Sequence, residues 1–258
     1  MAKNFLDLTD RVVVVMGGTS GLGRVIGLGL AESGAHVVAT GRRQSMVDEF
    51  CDQVRAMGRD TLSITVDVAK RASIDEFRDA VVAKFGRVDV LVNAAGRIKR
   101  IPTMELTEEE WQSTLDTNVT GMLRCCQSFF EPLAASKRGR IINIASLTSF
   151  VSFFEVTAYA ASKGAVLALT QSLAVEWARH GINVNAVAPG VFRTDLNAAL
   201  LDGTQRGREL LMRTPIGRFG KLDEVIGAAV LLASDAASFI TGQCIVVDGG
   251  FLASGVNS

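Results

Sequence analysis

The feature that most constrains this chain is a series of short, continuously apolar runs: Val12–Met16, His36–Thr40, Thr61–Val66, Val88–Val92, Arg140–Ala145, Ile182–Val187 and Cys244–Val247. A strand with one solvated face alternates apolar and polar residues, whereas a strand covered on both faces stays apolar throughout, as strands of a parallel sheet do. Between the runs lie segments of helical length, about Leu22–Ser33, Arg43–Met57, Ser73–Phe85, Glu108–Ser136, Ala158–His180 and Asp223–Ser234. The alternation predicts βαβ units and one doubly wound α/β domain over residues 1–258, with seven parallel strands flanked by helices. No repeat, low-complexity tract or linker divides it.

Some boundaries carry their own chemistry. Thr107 before Glu108, Glu109 and Glu110 reads as a capping box with acidic residues at the positive helix end. Gly181 after Arg179 and His180 is an equally good stop. The stretch Gly190–Gly220, about 190–220 as a candidate lid, is too long for an ordinary connection and reads as a binding loop.

Composition removes several function classes. The 27 basic and 27 acidic side chains balance and are scattered, so the basic stripe that nucleic acid or an anionic membrane requires is missing and a small-molecule partner is expected. Cys51, Cys125, Cys126 and Cys244 form no C-x-x-C pair, and Met1–Asp10 shows no signal-peptide pattern, so a reduced, cytoplasmic chain with no metal site is the simplest reading. His36 and His180 read as structural. The sequence has no H-E-x-x-H, no G-x-S-x-G and no apolar run of membrane-spanning length, which sets aside zinc peptidases, α/β-hydrolases and membrane proteins.

In an open parallel sheet ligands bind beyond the carboxyl ends of the strands, so the residues following each run are the informative ones. After the first comes Gly17-Gly18-Thr19-Ser20-Gly21-Leu22-Gly23 and then a helix, a context in which backbone N–H groups can approach a pyrophosphate; a tight turn with close helix packing is the bland alternative. The arrangement suits a Rossmann-type dinucleotide fold. After the second run stands Gly41-Arg42-Arg43, where a basic residue suits a ribose 2′-phosphate and favours NADP over NAD; a solvated arginine pair is the alternative. Asp67 follows the third run, and its local sequence fits an ordinary turn as well as a site. Asn93-Ala94-Ala95-Gly96 follows the fourth.

The chain contains one tyrosine. Tyr159 precedes Lys163 by four residues, which places phenol and ammonium on one helix face. A cation about 4 Å from a phenol at an effective dielectric of about 20 is worth roughly 4 kcal/mol, or about three pKa units, which predicts proton exchange near neutral pH. Ser146, at the end of the fifth run, could hydrogen-bond the same substrate oxygen.

On these residues the sequence resembles the short-chain dehydrogenase/reductase family, in its compact form, along essentially the whole chain. Gly17, Gly21 and Gly23 fit its glycine motif, Asn93–Gly96 its Asn-rich motif and Tyr159–Lys163 its Tyr-x-x-x-Lys, with Ser146 thirteen residues before the tyrosine and Asn118 at a fourth catalytic position. The resemblance implies that Tyr159 is the general acid/base and that Ser146 orients the substrate oxygen. It implies that Lys163 lowers the tyrosine pKa and holds the nicotinamide ribose, while Asn118 supports a proton-relay water. Cofactor contacts are implied for Gly17, Ser20, Gly21, Leu22, Gly23, Arg42, Asp67, Val68, Asn93, Ala95, Gly96, Tyr159, Lys163, Pro189, Gly190, Val191 and Thr194. Met16 and Ala94 depart from the family's usual Thr and second Asn, and altered stability or cofactor affinity is expected there.

The implied reaction is metal-free, reversible hydride transfer between nicotinamide C4 and a secondary alcohol or ketone. Glu176–Asn185 and Arg213–Arg218 look closest to the gluconate and deoxygluconate enzymes among sugar-acid and polyol dehydrogenases. A 3-oxoacyl carrier-protein reductase is the alternative, and a catalytically idle NADP-binding sensor or scaffold a third, against which the intact Ser146, Tyr159 and Lys163 speak. A methyltransferase has no use for the Tyr–Lys pair. Arg193, Arg206, Arg208, Arg213 and Arg218, facing Asp195, Asp202 and Glu209, with Arg97, Lys99 and Arg100, form either an anion-collecting rim or solvated surface. Phe150–Glu155 suggests one apolar pocket wall. Family membership implies a homotetramer built through the two long helices.

Overall fold

In the computed structural model, which describes residues 4–194 and 197–255, the apolar runs build a sheet of six strands. These are β1 (Val12–Met16), β2 (His36–Thr40), β3 (Val90–Asn93), β4 (Gly139–Ile144), β5 (Ile182–Pro189) and β6 (Cys244–Val247). Their order is β2-β1-β3-β4-β5-β6, and every adjacent pair is parallel. The chain winds outward from β1 to β2 and then crosses to β3 on the other side. The reversal creates a switch point at the carboxyl ends of β1 and β3, where crevices form in doubly wound sheets.

Continuous apolarity follows from the two covered faces. Val12, Val14 and Met16 point into one core with α3 (Arg71–Phe85), α5 (Gly121–Ser128), α6 (Phe130–Ala135) and α7 (Thr157–Trp177), through Phe77, Cys125, Leu133 and Val166. Val13 and Val15 point into the other, with α1 (Gly21–Glu32), α2 (Gln44–Ala56) and α10 (Ile226–Ala233), through Ile26, Phe50 and Leu232. One residue's shift in any central strand would exchange the two sets, so the register is strongly specified.

The seventh expected strand, Thr61–Val66, does not form. The segment runs beside β2, but Val66 N donating to Gly41 O at 2.9 Å is its one backbone bond there among the described residues. Its carbonyls are diverted to side chains: the Thr40 hydroxyl takes Ile64 O at 2.6 Å and Lys84 Nζ takes Thr61 O at 2.7 Å. A parallel ladder needs an even series of backbone bonds, and these substitutions interrupt it.

The expected helix over Glu108–Ser136 is also divided. It becomes α4 (Glu108–Leu115), a π-helical turn over Asp116–Thr120, then α5 and α6. Pro132 supplies no N–H for the turn that would join α5 to α6. At the start of α4 the Thr107 hydroxyl accepts from Glu110 N at 3.3 Å, but the Glu110 carboxylate turns to Arg97, so half of the expected capping box forms. After α7 a 3-10 turn ends at Gly181 with φ +73°, as the sequence predicts. The stretch Gly190–Gly220 holds two short helices, α8 (Ala198–Leu201) and α9 (Gln205–Met212), and an isolated bridge joins Phe192 to Gly220. Asp195 lies outside the described residues. Among the described residues no helix is long and apolar enough to cross a membrane.

Candidate active site

The turn after β1 is shaped by glycine at two points. Gly17 has φ +76°, and a Cβ there would lie 2.5 Å from backbone atoms of Ala95; Gly23 packs directly on the Gly17 carbonyl oxygen. The loop is thereby pressed against the Ala94–Ala95 turn beyond β3, with Ala94 N donating to Met16 O at 2.9 Å. That junction is made of backbone, so Met16 and Ala94 leave it intact despite departing from the usual residues.

The beginning of α1 is open. Ser20 makes no side-chain cap, the first turn holds no acidic residue, and a Cβ on Gly21 would meet nothing within 4 Å. The helix therefore presents uncapped N–H groups and an uncompensated positive end, the donor set a pyrophosphate needs. Leu22 instead packs into the core below. Gly18 N donates to Thr40 O at 3.0 Å, which brings Gly41 and the exposed Arg42 beside the loop; Arg42 has no ion pair among the described residues. The residues present thus fit a dinucleotide carrying an additional phosphate. Asp67 lies one chain step beyond Val66, and its carboxylate accepts from Ala69 N at 3.1 Å, the turn role its local sequence allowed. Val68 packs toward Gly121.

Ser146 follows β4 and caps a 3-10 turn at Leu147–Ser149, accepting from Thr148 N at 3.2 Å. Ser149 accepts from Ser146 N at 3.3 Å and donates to Lys163 O at 2.7 Å, which ties the end of β4 to α7. On α7, Tyr159 lies beside Ser146, and Lys163 Nζ donates to Ile144 O at 2.6 Å. Lys163 is 4% exposed and Asn118 wholly buried.

Asn118 sits in the π-helical turn, an irregularity that often marks function. Its Oδ1 accepts from Arg97 N at 2.8 Å, and its Nδ2 donates to Arg97 O at 3.0 Å and Ser162 Oγ at 2.9 Å. Ser162 in turn donates to Tyr159 O at 2.7 Å. A Cβ on Gly96 would lie 3.5 Å from Asn118 Oδ1 and 3.9 Å from Lys163 Nζ. Gly96, Asn118, Lys163 and Tyr159 are therefore gathered around one point. Sequence reasoning missed Ser162, Ser149 and the Arg97 backbone, the ties that hold this group; Ser162 lies inside the Tyr-x-x-x-Lys spacer, where only its position hinted at a role.

The electrostatics differ from expectation. Burial raises the Tyr159 phenol above its usual 10, with Ser146 opposing it, a direction opposite to the fall that the Tyr–Lys spacing predicts. Burial also lowers the Lys163 ammonium to about 8, and Nζ lies 5.6 Å from the tyrosine ring centroid while bonded to Ile144 O.

Asn93 departs further. It is 3% exposed, and its amide donates to Asn143 Oδ1 at 2.9 Å and Cys126 Sγ at 3.3 Å. Asn143 continues the chain to Thr170 at 2.9 Å. The Asn93 side chain thus braces β3 against β4 and α5 inside the core rather than facing a ligand. Pro189 ends β5, Gly190 approaches Asp248 too closely for a Cβ, and Val191 packs beside Leu147; Thr194 N donates to Asn197 Oδ1 at 2.8 Å. Two shallow grooves, between α3 and α5–α6 and along α4, hold none of the predicted residues. Among the described residues no group of three His, Cys, Asp or Glu could hold a metal.

Comparison with known proteins places this geometry. Residues 17–252 match the family model described as enoyl-(acyl carrier protein) reductase. The 2-dehydro-3-deoxy-D-gluconate 5-dehydrogenase of Escherichia coli K12 is 39% identical over 98% of this chain and 100% of its own. A gluconate 5-dehydrogenase from Burkholderia cenocepacia J2315, solved with NADP and tartrate, is 36% identical over 97% of this chain and 98% of its own, with a TM-score of 0.93. A short-chain type dehydrogenase/reductase from Mycobacterium marinum is 32% identical over 97% and 98%, with a TM-score of 0.91. Likeness of this extent over both full lengths goes beyond a shared fold, and the chain belongs to the short-chain dehydrogenase/reductase family of oxidoreductases.

Proposed function

We propose that the protein is an NADP-dependent dehydrogenase interconverting a secondary alcohol and a ketone on a small sugar acid or polyol of the gluconate type. The observation that carries the reading is the meeting of Tyr159, Ser146, Lys163 and Asn118 beside the uncapped start of α1. When bound, the nicotinamide supplies or accepts a hydride at C4. Gly17, Gly21 and Gly23 with Ser20 would take the pyrophosphate, and Arg42 the ribose phosphate.

In the reducing direction a ketone oxygen lies within reach of both hydroxyls. Burial keeps the Tyr159 phenol protonated, so it is a ready acid for the oxygen that gains charge. The Ser146 hydroxyl donates a second hydrogen bond to that oxygen. Lys163 would return a proton to Tyr159, and the Asn118–Ser162–Tyr159 chain of bonds fixes the acid in place. The gluconate-type choice is supported by the names of the relatives and by the apolar Leu147–Phe153–Phe251 wall beside Ser146. The carrier-protein description of the matched family favours a second reading, a 3-oxoacyl carrier-protein reductase.

A cytoplasmic homotetramer remains part of the proposal. Exposed Val175 on α7 and Trp111 on α4 supply apolar surface for the contact, and a monomeric mass by light scattering would exclude it.

Rates on gluconate, 2-deoxygluconate and an acetoacetyl thioester with each nicotinamide separate the substrate readings. Turnover of the thioester alone would remove the sugar-acid reading. Tyr159→Phe should abolish turnover while NADP still binds; near-normal turnover would sink the mechanism. Cofactor binding without turnover of any carbonyl by the unaltered enzyme would point to an idle sensor.

A further inference from the structure

The basic residues of the loop after β3 and of the Gly190–Gly220 stretch differ in their partners. Arg97 and Lys99 reach Glu110 at 2.8 and 3.4 Å, Arg100 reaches Glu155 at 2.5 Å, Arg193 reaches Asp202 at 2.6 Å and Arg218 reaches Glu224 at 2.6 Å. Arg208 donates to Gly203 O at 3.0 Å. Arg206 and Arg213 have neither a hydrogen bond nor an ion pair among the described residues.

These two lie seven residues apart at the ends of α9, on one helix face. The Arg206 guanidinium stacks over the Phe153 ring at 5.9 Å and that of Arg213 over Phe251 at 5.5 Å, while the two rings pack edge to face at 5.9 Å. The rings share one apolar cluster with Leu147, the residue after Ser146. Arg213 is exposed, whereas Arg206 is partly buried.

A guanidinium partly withdrawn from water without a bonded anion is costly to keep. The charge of Arg100 adds to the cost, and the carboxylates of Glu155 and Glu209 oppose it. Glu155 is already engaged by Arg100, and Glu209 accepts from Gln205 at 2.9 Å. Stacking on Phe153 orients the planar fork while leaving its donors unspent, the condition for bidentate capture of a carboxylate.

We propose that Arg206, held over Phe153 by α9, is the specificity residue that binds the carboxylate of an acidic substrate. The proposal rests on the oxidoreductase reading above and adds to it the site of acid recognition. Arg206→Met keeps an apolar stem over Phe153 and removes the fork; Arg206→Lys keeps the charge alone. Steady-state kinetics would compare gluconate with glucitol, its uncharged counterpart, alongside thermal midpoint and NADP affinity as controls of folding.

Loss of a hydrogen bond to a charged group predicts a rise in KM for gluconate of about 10- to 150-fold in Arg206→Met. The kcat, the KM for glucitol, the midpoint and NADP affinity should stay unchanged, with partial recovery in Arg206→Lys. An unaltered KM for gluconate in an active enzyme overturns the proposal alone, as does an equal rise for both substrates or a fall confined to kcat. Unaltered enzyme that turns over neither compound removes the gluconate-type reading and the proposal with it.

Discussion

Lys163 places a test of the site within reach of equilibrium measurements. Burial carries its ammonium from the usual 10.5 to about 8, and at about 1.36 kcal/mol per pH unit the difference converts to roughly 3 kcal/mol. Below pH 8 both the folded and unfolded chains hold the proton, and the folded state bears the full cost of burying the charge. Between pH 8 and 10.5 the folded chain has released a proton that the unfolded chain still binds, so this residue makes stability rise with pH. Lys163→Met removes the charge and the dependence together. It also leaves Ile144 O without its donor, a loss of about 1–3 kcal/mol that does not vary with pH. The stability of the variant relative to the natural protein should therefore fall by roughly 3 kcal/mol across that window, from near parity or better at neutral pH to a clear deficit above it. Urea unfolding followed by the fluorescence of Trp111 and Trp177 at a series of pH values would give the difference, in which other lysines cancel. A difference constant with pH would refute the account of a charge held in the core.

Two further substitutions address the parts around it. Ser162→Ala removes the link between Asn118 and the Tyr159 carbonyl, and is expected to cost about 1–3 kcal/mol and to lower kcat more than it raises KM; a thermal midpoint and kcat both unchanged would show that Asn118 needs no such tie. Arg42→Ala should raise the KM for NADP by about 10- to 150-fold, the range for a charged hydrogen bond, and leave NAD kinetics unaltered. An equal change for both cofactors would mean that Arg42 does not read the 2′-phosphate.

How much was legible in the sequence depended on whether local chemistry or distant contacts decided the outcome. Six of the apolar runs became strands: in the five from β1 to β5 burial on two faces requires apolarity at nearly every position, a signal that survives without knowledge of neighbours, while β6 at the sheet edge keeps the pattern though Val246 is exposed. Thr61–Val66 carries the same pattern, yet its pairing was lost to the Thr40 hydroxyl and the Lys84 ammonium, residues remote in sequence. Ser146, Tyr159 and Lys163 were legible by spacing, and the structure gathers them. The bracing role of the Asn93 side chain was not legible for a related reason: an amide at a strand end looks the same whether it meets a ligand or, as here, Asn143 on β4, which bonds onward to Thr170 on α7. The direction of the Tyr159 shift was not legible because it depends on how deeply the phenol is buried, which the i to i+4 relation does not report.

The break in the long helix shows why an irregular element can be the precise part of such a site. A regular α-helix through Asp116–Thr120 would carry an unbroken i to i−4 ladder past Asn118, with no widened turn at that point. The π-helical turn spans that point instead, and the buried amide there reaches both the N–H and the carbonyl of Arg97. Bonding both groups fixes the plane of the loop beyond β3, and Gly96, whose missing side chain leaves Lys163 Nζ nearby, is the residue just before it. Arg97 is held a second time by its own side chain, which bonds both oxygens of Glu110 on α4. The loop beyond β3 is thus tied at two points, to Glu110 on α4 and to Asn118 in the irregular turn that the sequence pattern passed over.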